Sequence, residues 1–192
     1  MTNPAVEAPG SRALGLPRGP SFPLWHRGFR AIWWLMWWAL ASWTPAPLHP
    51  WRVLLLRLFG ARIGRGARVY RTTRVWYPPN LELGDNAVLG PEVNCYCQGR
   101  VTVGDNATVS QFAHLVTGTH DIDNPGFRLV IKPITIGAEA WVGAGAMVGP
   151  GVSIGEGAVL GAGAVCFRDL EPWTVYVGNP CRRLRARRSP VN

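Results

Sequence analysis

The chain has 192 residues, 47% of them hydrophobic, with 23 glycines and 17 prolines. That length suits one domain with appendages, and the apolar share can furnish a substantial core. Its formal net charge is +9 at pH 7, concentrated in residues 62–74 and 182–188. A basic balance suits nucleic acid, anionic membrane or a phosphorylated ligand, but no zinc-finger, RNP-type or helix-turn-helix pattern accompanies it, so no nucleic-acid partner is expected.

Residues 1–21 are rich in Pro, Gly and Ala without periodicity and read as a disordered leader. A helical, Trp-rich extension is expected over 22–60. Its centre, residues 31–43 (AIWWLMWWALASW), follows Arg27 and Arg30. This run is too short to span a bilayer, which takes about 20 residues. It suits an interfacial anchor, because Trp favours the headgroup level and the flanks are basic. A helix packed on the domain or in an oligomer interface is the alternative. A signal peptide is a third reading, since Ala39-Leu-Ala41 imitates a cleavage site, but the long leader and the tryptophans speak against it. Thr44-Pro-Ala-Pro breaks the helix, and residues 51–59 suggest a second one, with Gly60 as its terminator.

From Ile63 a six-residue pattern takes over: aliphatic, Gly, any, any, small, any. Copies begin at Ile63, Leu83 and Val103, and five more run unbroken from Ile136, Val142, Val148, Ile154 and Leu160. Looser hexads begin at Leu89 and Val109. Six is neither the helical nor the plain strand period; it suits a short strand plus a corner, three of which close a triangular coil of about 18 residues. The aliphatic residue fills the prism, the small one sits near a crowded corner, and the glycine is expected where a β-carbon would strain the backbone. A β-helix domain is expected over 61–171, followed by a basic tail over 172–192. The pattern does not set the hand of the coil, because parallel crossovers are normally right-handed.

The register also shows where the coil is interrupted. Ile63, Leu83 and Val103 are 20 apart, and Ile136 and Ile154 are 18 apart. Val103 to Ile136 is 33, so 15 residues beyond one 18-residue coil are extruded, giving a loop over 116–133. A long loop leaving a rigid solenoid is a functional candidate. At its root stands His120, beside Asp121 and Asp123. A neutral imidazole can take a proton from an alcohol near neutral pH, and a neighbouring carboxylate can orient the ring. Asp121 is therefore assigned to the site with His120. Cys95 and Cys97 form C-x-C rather than a zinc pair and, like Cys166 and Cys181, read as small buried hydrophobes.

The hexads, the root T-G-T-H-D, the run P-I-T-I-G-x-x-A-W-V-G and the ending D-L-x-P-W-T-V-x-x-G-N-P resemble the hexapeptide-repeat O-acetyltransferases, above all the colanic acid and exopolysaccharide branch. The resemblance covers roughly residues 45–188. It implies an all-β, left-handed parallel β-helix that assembles as a homotrimer and takes acetyl-CoA in a groove between subunits, with no metal. It implies His120 as general base and Asn94, in the V-N-x-Y stretch, on the acceptor. The CoA contacts fall on Ala144, Ala162, Phe167, Arg168, Arg182 and Arg185. Phe167-Arg168 departs from the Thr-Lys common in relatives, which keeps the charge and loses the hydroxyl. The implied acceptor is a sugar or lipid-linked oligosaccharide, and the implied place is the cytoplasm, with peripheral membrane contact through residues 26–43 as a further expectation.

Two other functions suit the same fold, and transfer of another acyl group, or transfer to an amine, is a third alternative. A γ-class carbonic anhydrase needs three histidine ligands, but only His114 and His120 lie within the repeat, with His26 and His49 outside it. A non-catalytic scaffold would have no use for His120 or for the arginine set.

Overall fold

The computed structural model describes residues 21–123 and 126–188, so the expected leader lies outside the described residues apart from Ser21. The hexads wind a parallel β-helix with three flat faces. The first face stacks Arg62–Ile63, Leu81–Leu83, Val101–Val103, Ile134–Ile136 and Ser153–Ile154. The second begins with Arg68–Val69, Val88–Leu89, Thr108–Val109, Trp141–Val142 and Val159–Leu160, and the third stacks Arg74–Val75, Asn94–Tyr96, His114–Val116, Met147–Val148 and Val165–Cys166. The chain crosses corner one between faces one and two, corner two between faces two and three, and corner three on the way back to face one.

Each hexad position has its own physical duty. The leading aliphatics, such as Leu89, Val109, Val142 and Leu160, are fully buried. The fifth-position alanines Ala107, Ala146, Ala158 and Ala164 are equally inaccessible, because the narrow corner leaves room for a methyl and little else. The second-position glycine is there for a different reason from the one expected. It is the fourth position that takes the left-handed conformation, as in Asn86 (φ 58°), Asn106 (φ 56°) and Gly145 (φ 65°). The second-position glycine instead permits close stacking of coils: a β-carbon on Gly143 would lie 2.6 Å from the backbone nitrogen of Ala162 in the next coil.

The coils are not equally regular. From Ile63 to Val69 and on to Val75 is six residues each, but Val75 to Leu83 and Cys95 to Val103 are eight, so both two-residue insertions fall at corner three. The 15-residue excursion leaves from that same corner. It is a hairpin, with Gly118–His120 paired antiparallel to Leu129–Ile131. The solenoid also continues past residue 171. Thr174–Val177 adds a parallel strand to face two, and Arg182–Ala186 folds back antiparallel on it.

Two helices close the other end of the prism. In α1 (Leu24–Leu40), Trp33 and Trp37 are buried and donate their indole N–H to Val75 O (2.7 Å) and Arg71 O (3.1 Å). In α2 (His49–Leu58), Val53, Leu55 and Leu56 pack inward, and fully buried Arg52 donates to Val69 O, Thr44 Oγ1, Pro45 O and Ala46 O. A guanidinium suits this plug because it carries five donors and can be satisfied by carbonyl dipoles without a carboxylate. The outer side of α1 is a different surface: Leu24, Trp25, Ile32, Leu35 and Trp38 are each more than half exposed. The tryptophans therefore divide, with Trp33 and Trp37 in the core and Trp25 and Trp38 facing out. Among the described residues no helix is long and apolar enough to cross a membrane.

Candidate active site

His120 ends the first strand of the hairpin and is exposed. Its ring stacks on Phe127 at a centroid distance of 4.4 Å and an interplanar angle of 9°, and its Nδ1 lies 2.8 Å from Phe127 O. A carbonyl can only accept, so Nδ1 is the donor, and in the neutral ring the lone pair falls on Nε2. That is the tautomer a general base requires. Phe127 adopts a left-handed φ of 45°, a conformation that is uncommon for a bulky residue, and it supplies both the stack and the carbonyl. The partner expected from the sequence, Asp121, serves the hairpin instead: its N–H donates to Arg128 O, and its carboxylate is not what holds Nδ1.

His120 opens on a cavity of about 400 Å³ whose walls include Tyr96, Gln98 and Trp76 from corner three and Arg27 and Arg30 from α1. The Arg30 guanidinium lies over the Trp76 ring, 4.1 Å from its centroid. Gln98 Nε2 donates to Tyr96 Oη at 3.1 Å. Asn94 sits at the start of the Tyr96 strand, with its amide 3.5 Å from His114 Nδ1. It shares the face that leads to the cavity but is not among its walls.

A second groove, of about 190 Å³, runs along corner two between Ser110, Gln111, Trp141, Ala144 and Ala162. Trp141 is half exposed, and its indole N–H donates to Ser110 Oγ at 2.8 Å. At corner one, aspartates of successive coils occupy the equivalent N–H groups, as Asp85 Oδ1 does for Arg65 N and Asp105 Oδ1 for Asp85 N. Ala144 and Ala162 have only a methyl there, and neither N–H donates to a carbonyl or side chain among the described residues. The groove thus offers a narrow apolar slot edged by free amides, which suits a ligand arm with amides of its own.

The remaining predicted residues lie apart. Phe167 is exposed at corner three, its ring over Gly149, and the Arg168 guanidinium lies 5.7 Å from the Tyr176 ring. Arg182 and Arg185 are exposed on the returning strand of face two. Sequence reasoning missed Arg187, which bonds Glu139 O and Gly157 O and packs over Trp173. It missed Phe127, Trp76 and Gln98 as well. The two-residue surplus at corner three was the available signal for the last two.

All four cysteines are free and buried. Burial pushes the Cys166 thiol up to about 12, so it is an inert hydrophobe. Among the described residues no group of three or more His, Cys, Asp or Glu is placed to hold a metal ion.

His120 and its cavity belong to corner three, whereas the Ala144–Ala162 groove belongs to corner two of the same coils. Within a single chain the cavity and the groove lie on different edges of the prism.

Comparison with known proteins agrees with this architecture. The family described as bacterial transferase hexapeptide (six repeats) matches residues 133–168. A putative colanic acid biosynthesis acetyltransferase, WcaF, of Escherichia coli K12 is 40% identical over 173 residues, covering 88% of this chain and 95% of that protein. The WcaF of Shigella flexneri matches equally. Among solved structures, a maltose O-acetyltransferase from Clostridium difficile 630 superposes with a TM-score of 0.78 at 26% identity, covering 87% of this chain and 90% of that one. A galactoside acetyltransferase in complex with coenzyme A gives 0.73 at 25% identity, covering 87% and 84%.

Proposed function

Because the chain belongs to the hexapeptide-repeat acetyltransferases, among the colanic acid biosynthesis acetyltransferases, we propose that it moves an acetyl group from acetyl-CoA to a sugar hydroxyl in exopolysaccharide synthesis. Acetyl-CoA supplies the acetyl group as an activated thioester. His120 Nε2 accepts the proton of the acceptor hydroxyl, so that the oxygen attacks as a developing alkoxide, and then returns that proton to the departing thiolate. The Phe127 carbonyl holds the imidazole through the charged stage of this cycle. Ala144 and Ala162, which line the corner-two groove, would hold the pantetheine arm, and a free N–H there could stabilise the developing oxyanion. Arg168, Arg182 and Arg185 supply charge for the phosphates of CoA.

The single observation that carries this reading is the base itself: a histidine held in one tautomer by a backbone carbonyl, at the rim of a cavity that can hold a sugar. The test is to incubate the protein with acetyl-CoA and a candidate lipid-linked oligosaccharide and to look for an acetyl mass increase that His120→Ala abolishes.

The split between corners two and three supports a homotrimer, in which the groove of one copy meets the His120 cavity of the next. Light scattering at working concentration tests it, and a fully active monomer would count against it. The exposed side of α1 supports peripheral attachment to the cytoplasmic leaflet through residues 26–43. Residues 21–81 contain nine arginines and no acidic residue, so the same end attracts anionic lipid. Flotation with anionic liposomes tests this. Replacing Trp25, Ile32, Leu35 and Trp38 by serine should release the protein while leaving the buried Trp33 and Trp37 in place.

A further inference from the structure

We infer that the acceptor is an anionic sugar whose phosphate is gripped by Arg27 and Arg30 of α1 while its reacting hydroxyl meets His120. This inference rests on the acetyl-transfer reading above and adds the class of acceptor and two residues that select it.

On one side of the cavity are the base and the polar groups of corner three, His120, Tyr96 and Gln98. On the other are Arg27 and Arg30, three residues apart on α1 and therefore neighbours on its surface. Among the described residues no acidic side chain lines the cavity, and none occurs anywhere in residues 21–81. Neither arginine forms an ion pair with a carboxylate among the described residues. Two guanidiniums thus face one cavity without a counterion.

Arg30 is also held in a committed pose. Its guanidinium stacks on Trp76 at 4.1 Å and approaches Phe22 at 5.9 Å, while its Nε is buried with no hydrogen-bond partner. A buried donor left unsatisfied is costly, and such groups in native proteins generally have a partner when the site is filled. Arginine used only to cover an aromatic ring would leave its donors in water. Here the stack fixes the planar fork, and a fork fixed beside a second guanidinium matches the oxygens of a phosphate. A neutral sugar offers hydroxyls that satisfy donors singly but leaves both charges uncompensated. A phosphate or diphosphate compensates both. The volume of about 400 Å³ falls in the range of small-molecule sites, about 300–1,000 Å³, and accommodates a sugar with one phosphate group.

The shared chemistry is therefore a glycosyl phosphate, and it reaches the cell in two forms: a nucleotide-linked sugar, or a sugar diphosphate on a lipid carrier. The two are separated by experiment. Acetyl transfer by the full-length protein is measured with glucose, galactose and mannose, their 1-phosphates, their nucleotide diphosphates and a short-chain prenyl-diphosphate hexose. A phosphorylated acceptor is expected to have a KM at least tenfold below that of the same free hexose. Arg30→Gln and Arg27→Gln are expected to erase that difference by raising the KM of the phosphorylated form, with the KM for acetyl-CoA moving less than twofold. Lysine at position 30 should restore part of the preference, since charge returns without the planar fork. The ratio between the nucleotide-linked and prenyl-linked forms identifies the source.

A direct binding measurement keeps this test apart from the catalytic reading. Pyrophosphate is titrated into CoA-saturated protein, so that the CoA phosphate contacts are already filled. Binding that weakens at least tenfold in Arg30→Gln supports the anionic site even if no tested sugar is acetylated. Equal KM values for free and phosphorylated hexoses, or pyrophosphate binding indifferent to both arginine variants, overturns it even if His120-dependent transfer is robust.

Discussion

Corners two and three of the same prism are built from the same repeat and behave in opposite ways. At corner two the six-residue spacing holds through every coil, and in the last two coils residues 143–146 and 161–164 stack at backbone contact and present little beyond main chain and methyl groups. At corner three two coils carry two extra residues and a third carries the hairpin, and the exposed His120 shares a cavity with the partly buried Tyr96 and Gln98 and the buried Trp76. Regularity yields a long uniform slot suited to an extended cofactor arm. Irregularity yields a chamber of individual side chains suited to proton transfer and acceptor choice. On the proposed function, the solenoid would separate cofactor binding from chemistry by where it keeps the repeat and where it breaks it.

The largest effect should come from corner three. His120→Ala is expected to lower the turnover rate by about 10²–10⁴, the usual worth of a general base. Acetyl-CoA affinity, which the proposed function assigns to residues other than His120, should stay within a few-fold. Near-normal turnover in steady-state assays would mean that the chamber is not the reaction centre and would dissolve the contrast drawn here.

A mixing experiment asks whether the two corners meet between copies. His120→Ala leaves the groove intact, and Ala162→Trp fills the groove while leaving the base. Each variant alone should be nearly inactive. Unfolded together in equal amounts and reassembled, they should recover about a quarter of wild-type activity, because half of the bases are intact and half of their facing grooves are open. Recovery at background level would place both halves of the site within one chain.

Two glycines compare the corners as structure. A β-carbon at Gly143, on corner two, would lie 2.6 Å from the backbone nitrogen of Ala162. At Gly99, on corner three, it would meet the Ile131 side chain, which can move with the hairpin. Gly143→Ala should therefore cost about 1–3 kcal/mol, the range for overpacking, and Gly99→Ala clearly less. Thermal or denaturant unfolding reads the difference, and equal losses would show that the two corners are alike in stiffness.

What could be read in the sequence follows the same division. The hexads from Ile136 to Leu160 announced face, coil and core, because each position has one physical duty and a short alphabet that performs it. Spacing alone also located the excursion and put His120 at its root. The chamber was harder. Phe127 acts through a backbone carbonyl, which no side-chain pattern reveals, and Arg27 and Arg30 come from a helix some ninety residues earlier. The tryptophan run was legible as apolar on all sides, but its split into a buried side with Trp33 and Trp37 and an exposed side with Trp25 and Trp38 depends on which carbonyls the first coil leaves open.

The smallest expected effect is at Asp121, the neighbour that the sequence made a partner of the base. Its N–H ties the hairpin to Arg128 O, a contact that any residue except proline can make. The Nδ1 proton is already directed to Phe127 O at 2.8 Å. The carboxylate is left to act through its field, and a solvated charge contributes about 0–1 kcal/mol, or about fivefold in rate at most. Asp121→Asn should thus retain most of the activity in steady-state assays. Phe127→Ala, which keeps the carbonyl but removes the stacked ring, should cost more than Asp121→Asn. If Asp121→Asn instead approaches the loss seen in His120→Ala, the hairpin rearranges when substrates bind and the carboxylate takes over the ring. That outcome would transfer the orienting role from the backbone to the side chain.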